Sequence, residues 1–337
     1  MIIRNRINFL GPAIDTFLTS SPSNVFYRGI KREDVNIITK GGMGNDKYGD
    51  PERPLLTRRI LMEEVAASLK ALKVNDVDMY MYHRDDPRIP VERFVSWANE
   101  IVDEGKTAAW GVSNWSFERF QEAHDFACAN GFQPPKANSP QLSLAAPACE
   151  IWPTTYSIAG EDHEDQILWY YQNGVELVCW EVLAKGFMAV PDLWCEKTVD
   201  PTFFQKEVEL GSDEWRLQRI QTAYCNDENY RRRRNALRVA EEYGMSLAQI
   251  AALYAMSVSP NVSVIMGFLE PSQIDDVKDL HHYFLDKDCL IGDDEAIKKS
   301  IKLVDMRRLE PTESSIKSSN TLLDYHLLSP ERNLAAR

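Results

Sequence analysis

Two residues stand where chemistry is usually done. Lys40 follows the apolar run Val35-Asn36-Ile37-Ile38-Thr39 and precedes Gly41-Gly42. His83 closes the stretch Asp78-Met79-Tyr80-Met81-Tyr82-His83-Arg84. A lysine can stabilise negative charge on oxygen or lower the pKa of a neighbouring donor. A histidine with an ordinary pKa of about 6.5 can move a proton near neutrality. Other chemistry-bearing groups are weaker. His124 and Cys128 are four apart on a helix, a permitted metal spacing, but no second pair accompanies them, and His281-His282 is isolated. No metal site is expected. The basic run Arg231 to Arg234 lies among Glu228, Glu241 and Glu242 and reads as a solvated helix face, not a nucleic-acid patch.

The elements that must position Lys40 and His83 follow from periodicity. Val77 to Tyr82 is a buried strand, apolar on both faces, between two helical segments, as in a parallel α/β sheet. Strands are expected near residues 7, 35, 77, 108, 137, 176 and 263. Helices are expected near residues 24–31, 57–72, 91–104, 117–130, 162–173, 228–243, 246–256, 271–280 and 293–304. Thr57 is the N-cap of the second, and Gly105, Gly131 and Gly174 are stop signals. Residues 187–227 read as long and irregular, and the polar stretch 306–337 as a tail after a single domain over 1–305. Seven strands, each followed by a helix, mean a parallel sheet. No G-x-G-x-x-G follows any strand, which leaves the (β/α)8 barrel ahead of an open dinucleotide-binding sheet. Ligands of such folds sit at the carboxyl ends of the strands, where Lys40 and His83 stand.

Composition narrows the classes. The chain has 337 residues, with 38 basic and 51 acidic side chains and a net charge of −13, which disfavours nucleic acid as a partner. No apolar run is long enough for a membrane span, and Met1-Ile2-Ile3-Arg4-Asn5-Arg6 lacks the apolar core of a signal peptide. Six scattered cysteines without a C-x-x-C pair fit reduced thiols in a cytoplasmic protein.

The chain resembles the aldo/keto reductase family. The resemblance rests on Ile37-Ile38-Thr39-Lys40-Gly41-Gly42, on residues 76–84, and on Gly105-Lys106-Thr107-Ala108-Ala109-Trp110-Gly111-Val112-Ser113-Asn114. Gly174-Val175-Glu176-Leu177-Val178, Leu183-Ala184-Lys185-Gly186, and Ser263-Val264-Ile265-Met266-Gly267 with Gln273 add to it. The resemblance implies an α/β fold, a (β/α)8 TIM-type barrel, and hydride transfer from NADPH or NADH to a small carbonyl compound. It places Lys40 and His83 at the family's catalytic lysine and histidine. It gives Ser113 and Asn114 to the nicotinamide carboxamide, Trp180 to the nicotinamide ring, and Leu183, Lys185, Gly267 and Gln273 to the rest of the nucleotide.

Departures from the family are as informative. Gly11 stands at the aspartate position and Thr16 at the tyrosine position of the family's catalytic set. Ser139 stands at the family's glutamine. Leu269 and Glu270 replace the arginine and serine that grip a 2′-phosphate, so NADH is expected over NADPH. The family's first strand and helix precede Ile7, which leaves open edges at Ile7–Leu10 and Val262–Met266. Another chain, a second copy, or residues 1–6 with the tail are expected to cover them, unless the chain is a fragment. The expected activity is therefore an altered or weak oxidoreductase, slow and rising toward acid pH, with His83 as the surviving electrophile or proton donor and Lys40 as the nearby cation. The rival expectation is a non-catalytic relative that binds a ligand, a nucleotide or a partner protein, as the potassium-channel beta subunits of this family do.

Overall fold

The computed structural model describes residues 2–3, 7–10, 32, 35–42, 56–152, 154–160, 163–189, 212–268, 271–277 and 280. They fall into two compact units. One is built from residues 1–140, 152–156 and 173–178, the other from residues 141–151, 157–172 and 179–337.

The first unit is a parallel β/α array. Its strands are β1 (Ile2–Ile3), β2 (Ile7–Leu10), β3 (Val35–Gly41), β4 (Val77–Tyr82), β5 (Thr107–Ser113), β6 (Ala137–Ser139) and β7 (Glu176–Cys179), the last residue of β7 belonging to the second unit. From β2 onward each strand pairs in parallel with the next in sequence. The register sets Lys40 opposite Met81 and Met81 opposite Gly111. β1 pairs antiparallel with β2, Ile2 facing Asn8 and Ile3 facing Ile7, so residues 2–3 lie along one edge of β2.

The helices between the strands form as their sequences dictate. In α1 (Arg58–Leu72), the Thr57 side chain accepts from Ile60 N at 3.2 Å, and Lys73 ends the helix in a left-handed turn with φ 56°. Leu61, Val65 and Leu72 are buried as their spacing requires, with Ser68 beside them. α2 (Val91–Asp103) buries Val91, Phe94, Val95, Ala98, Asn99 and Ile101. The buried Asn99 is satisfied, since Nδ2 donates to Val95 O at 2.9 Å and Oδ1 accepts from Gln133 N at 2.8 Å. α3 (Phe117–Ala129) is capped by Ser116, whose side chain accepts from Arg119 N. Gly111 allows a close approach of β5 to β6, because a Cβ there would lie 2.6 Å from Ala137 O.

The second unit holds α4 (Glu164–Gln172), α5 (Asp213–Tyr224), α6 (Asp227–Tyr243), α7 (Leu247–Ser257), β8 (Val262–Val264) and α8 (Pro271–Val277). Two expectations change here. Part of the stretch expected to be irregular is the helix α5, begun by Ser212, whose side chain accepts from Trp215 N. The basic run is not simply a solvated face. Arg232 and Arg233 are buried, Arg232 bonding Glu228 and Leu144 O, and Arg233 donating to Phe187 O at 2.9 Å with its guanidinium over the Phe187 ring. The helices expected near residues 24–31 and 293–304, and the 306–337 tail, lie outside the described residues. Among the described residues no helix is long and apolar enough to cross a membrane.

Candidate active site

The alternation of side chains along a strand sends Ile38 and Lys40 to one side of β3. Lys40 Nζ donates to Ser113 Oγ at 2.9 Å and to Ser139 Oγ at 2.7 Å. Both serines are fully buried, one at the end of β5 and one at the end of β6. Each hydroxyl hands its own proton inward, Ser113 to Ser139 O at 2.9 Å and Ser139 to Val178 O at 2.5 Å. The lysine therefore reaches past β4 to the ends of two further strands.

Asn114, directly after β5, adopts φ 62°, a left-handed conformation that asparagine tolerates better than most side chains. Its Nδ2 donates to Ser113 Oγ at 3.0 Å and to His83 O at 3.3 Å, and its Oδ1 accepts from Tyr156 N at 3.4 Å. Ser113 Oγ thus accepts from Lys40 and Asn114 and donates to Ser139. A hydroxyl has one donor and two acceptor sites, so this one is saturated. In this arrangement the Ser113 hydroxyl serves the strand ends.

His83 is fixed by its backbone. Its N–H donates to Gly41 O at 2.7 Å, and its carbonyl accepts from Arg84 and Asn114. The ring is half-buried, with a fully buried Nδ1 that has no hydrogen-bond partner. Burial first, then the charges of Lys40 and Arg84, hold the imidazole pKa well below its usual 6.5. The downward shift favours the neutral ring near neutrality.

That shift predicts a pH dependence of stability. The unfolded chain takes up a proton at this histidine near pH 6.5, whereas the folded protein resists it until well below. More protons bound when unfolded means that stability falls as pH drops below 6.5, by up to about 1.4 kcal/mol per pH unit for one group. His83→Gln is expected to flatten this part of a denaturant-midpoint profile between pH 7 and 5. An unchanged slope in the variant would refute it.

The surroundings brace both residues. Glu64 of α1 accepts from Gly42 N, holding the turn after β3. Past His83, Asp86 is buried and takes three hydrogen bonds from Arg88, and Arg119 bonds Asp85 at 3.1 Å. Ser139, Glu64 and Tyr156 were not among the expected site residues. The signals for Ser139 were its place at the end of a short strand and its alignment with the family's glutamine.

In the second unit, Trp180 follows β7 half-buried, and Leu142 N donates to its carbonyl at 3.3 Å. After it the chain turns tightly, with positive φ at Glu181, Ala184 and Lys185. Leu183 is partly buried and Lys185 exposed, its Nζ 2.7 Å from Glu181. Gly267 is exposed just beyond β8, and Gln273 lies on α8. The structure thus brings Lys40, His83, Ser113 and Asn114 together in the first unit, and holds Trp180, Leu183, Lys185, Gly267 and Gln273 in the second. Gly11, Thr16, Leu269 and Glu270 lie outside the described residues. No cluster of three or more metal-ligating side chains occurs among the described residues.

For this parallel β/α array, the model of the aldo/keto reductase family matches residues 14–290 of the chain. The chain belongs to the aldo/keto reductase family. Its fold class is the family's (β/α)8 barrel. The chain is 30% identical over 251 residues to a probable voltage-gated potassium channel subunit beta of Arabidopsis thaliana, spanning 73% of this chain and 68% of that protein. The corresponding protein of Oryza sativa subsp. japonica matches to the same extent, and a putative one of Schizosaccharomyces pombe is 28% identical, spanning 70% of this chain and 63% of the relative. Among solved structures, a thermostable aldo-keto reductase crystallised with the inhibitor epalrestat aligns with a TM-score of 0.48 at 18% identity, covering 88% of this chain and 73% of that one.

Proposed function

We propose that this aldo/keto reductase is an NAD(P)H-dependent oxidoreductase acting on a small carbonyl compound or the matching alcohol. The observation that carries the reading is His83, a neutral imidazole with a buried, unpartnered Nδ1 beside the Lys40 charge at the strand ends. A strongly perturbed titratable group at that place is a mark of a functional site. Within the second unit, Trp180 is half-buried and Lys185 keeps its side chain partly exposed, as residues that would meet a nicotinamide nucleotide do. A bound nucleotide would supply the hydride, and the proton that completes the alcohol would come from solvent. His83 then orients a carbonyl oxygen by hydrogen bonding, and Lys40, fixed by Ser113 and Ser139, contributes positive charge that favours developing negative charge on that oxygen. The test is fluorescence titration with NADPH and NADH, followed by turnover on a panel of small aldehydes and ketones. A chain that binds neither nucleotide refutes the reading.

Cofactor preference follows from Glu270 and Leu269. A carboxylate repels a 2′-phosphate, so NADH is expected to bind at least as well as NADPH. NADPH tighter by tenfold or more, about 1.4 kcal/mol, would contradict this.

A second reading is binding without turnover, with the nucleotide as a structural or sensing ligand and a partner protein as the target. The saturated Ser113 hydroxyl favours it, as do relatives named as potassium channel beta subunits. Tight nucleotide binding with no turnover on any carbonyl would support this second reading over the first.

A further inference from the structure

We propose that Glu181 sets how strongly the turn after β7 takes an anionic, phosphate-bearing ligand, by holding the Lys185 ammonium in an internal ion pair; this deepens the nicotinamide-nucleotide reading above and rests on it. Lys185 Nζ lies 2.7 Å from Glu181 Oε1. The two are four residues apart, yet no α-helix joins them. The tight turn does, with φ 56° at Glu181, 48° at Ala184 and 55° at Lys185. The pair is lopsided. The carboxylate side chain is only 7% exposed, while the lysine side chain is 38% exposed.

The carboxylate is anchored from within. Tyr224 Oη donates to Glu181 Oε2 at 3.3 Å. Gln141 Nε2 in turn donates to Tyr224 Oη at 3.3 Å and to Ser143 Oγ at 2.8 Å, and Ser157 Oγ donates to Gln141 Oε1 at 2.6 Å. Gln141, Ser143 and Tyr224 are buried. Burial, then the Glu181 charge, raises the Tyr224 hydroxyl well above its ordinary pKa, so it stays a neutral donor to that carboxylate. Glu181 therefore cannot swing away as a surface acid would. A phosphate approaching Lys185 meets a fixed anion on the same cation, and two anions sharing one ammonium repel each other. Glu181 thereby weakens phosphate binding at this turn without touching the phosphate's other contacts.

The test uses the full chain and four variants, with NADPH, NADH and inorganic pyrophosphate as probes. Glu181→Gln keeps an acceptor for Tyr224 and removes the charge. It is expected to bind NADPH about tenfold or more tightly than the parent, and pyrophosphate more tightly as well. Lys185→Gln is expected to weaken both. The double variant with Gln at both positions is expected to bind no better than Lys185→Gln alone, since Glu181 acts through that lysine. Glu181→Ala repeats the comparison if the glutamine variant folds poorly by circular dichroism. Equal NADPH affinity of the parent and both Glu181 variants overturns the role of Glu181 while the nucleotide reading stands. Absence of both NADPH and NADH binding in every chain overturns both, and absence of NADPH and pyrophosphate binding with NADH retained overturns the role of Glu181 alone.

Discussion

Replacing His83 by alanine is expected to lower carbonyl reduction by about 10²–10⁴-fold, the range that one positioned proton-transfer or hydrogen-bonding group supplies. The backbone of His83 carries structure, through its N–H to Gly41 O and its carbonyl to Arg84 and Asn114. The ring Nδ1 carries none, since it has no partner. The side chain can therefore be removed with the strand end left in place, and the loss should fall on kcat more than on nucleotide affinity. The pH profile of the parent is a second readout. A neutral imidazole well below its usual pKa gives activity that is flat across neutrality, and not the rise toward mild acid that an imidazolium donor would give. Lys40→Met should also reduce turnover, and in addition relieve one of the charges that depress the histidine. A His83→Ala variant with full turnover, on a substrate the parent reduces, would place the chemistry elsewhere.

Phe94→Ala is expected to destabilise the protein by about 3–5 kcal/mol, the usual cost of removing a fully buried phenylalanine. Its ring is fully buried against Tyr82 at 5.0 Å and Trp115 at 4.9 Å, both edge to face. The Tyr82 hydroxyl donates to Phe94 O at 2.9 Å, and the Arg119 guanidinium lies over the Phe94 ring. This cluster seats the end of β4, one residue before His83. Denaturant unfolding followed by tryptophan fluorescence measures the change, with Phe94→Leu as the milder control. A loss under about 1 kcal/mol would mean that the cluster collapses to fill the space.

The strands that carry the site were legible because their patterns are local. Val77–Tyr82 and Val35–Gly41 are apolar runs bounded by turn residues, and Thr57, Gly105 and Gly131 mark helix ends in single letters. What joins distant residues was not legible. Nothing at Ser139 signals that it receives a proton from a lysine 99 positions earlier, and nothing at Ser113 signals that three bonds will saturate its hydroxyl. Solvation was equally hidden. The ordinary pKa of histidine is all that the sequence offers, and only the packing around His83 with the nearby Lys40 and Arg84 shows that it is lowered. The helix Asp213–Tyr224 was missed because the stretch around it, residues 187–227, reads as long and irregular, although Ser212-Asp213-Glu214 is a legitimate helix start. Arg232 and Arg233 looked like surface residues because their burial depends on Phe187 and Leu144, far away in sequence.

The two bonds from Lys40 also bear on how the chain reaches its native form. They span 73 and 99 residues, and they exist only once β5 and β6 have joined the strands before them. Closing the longer loop is little harder than closing the shorter, because the entropy of closure grows only with the logarithm of length. Neither bond can hold early in folding, however, and in any partly assembled chain Lys40 is an ordinary flexible amine. Its reactivity toward an acylating reagent during refolding therefore reports when the sheet has been completed as far as its sixth strand.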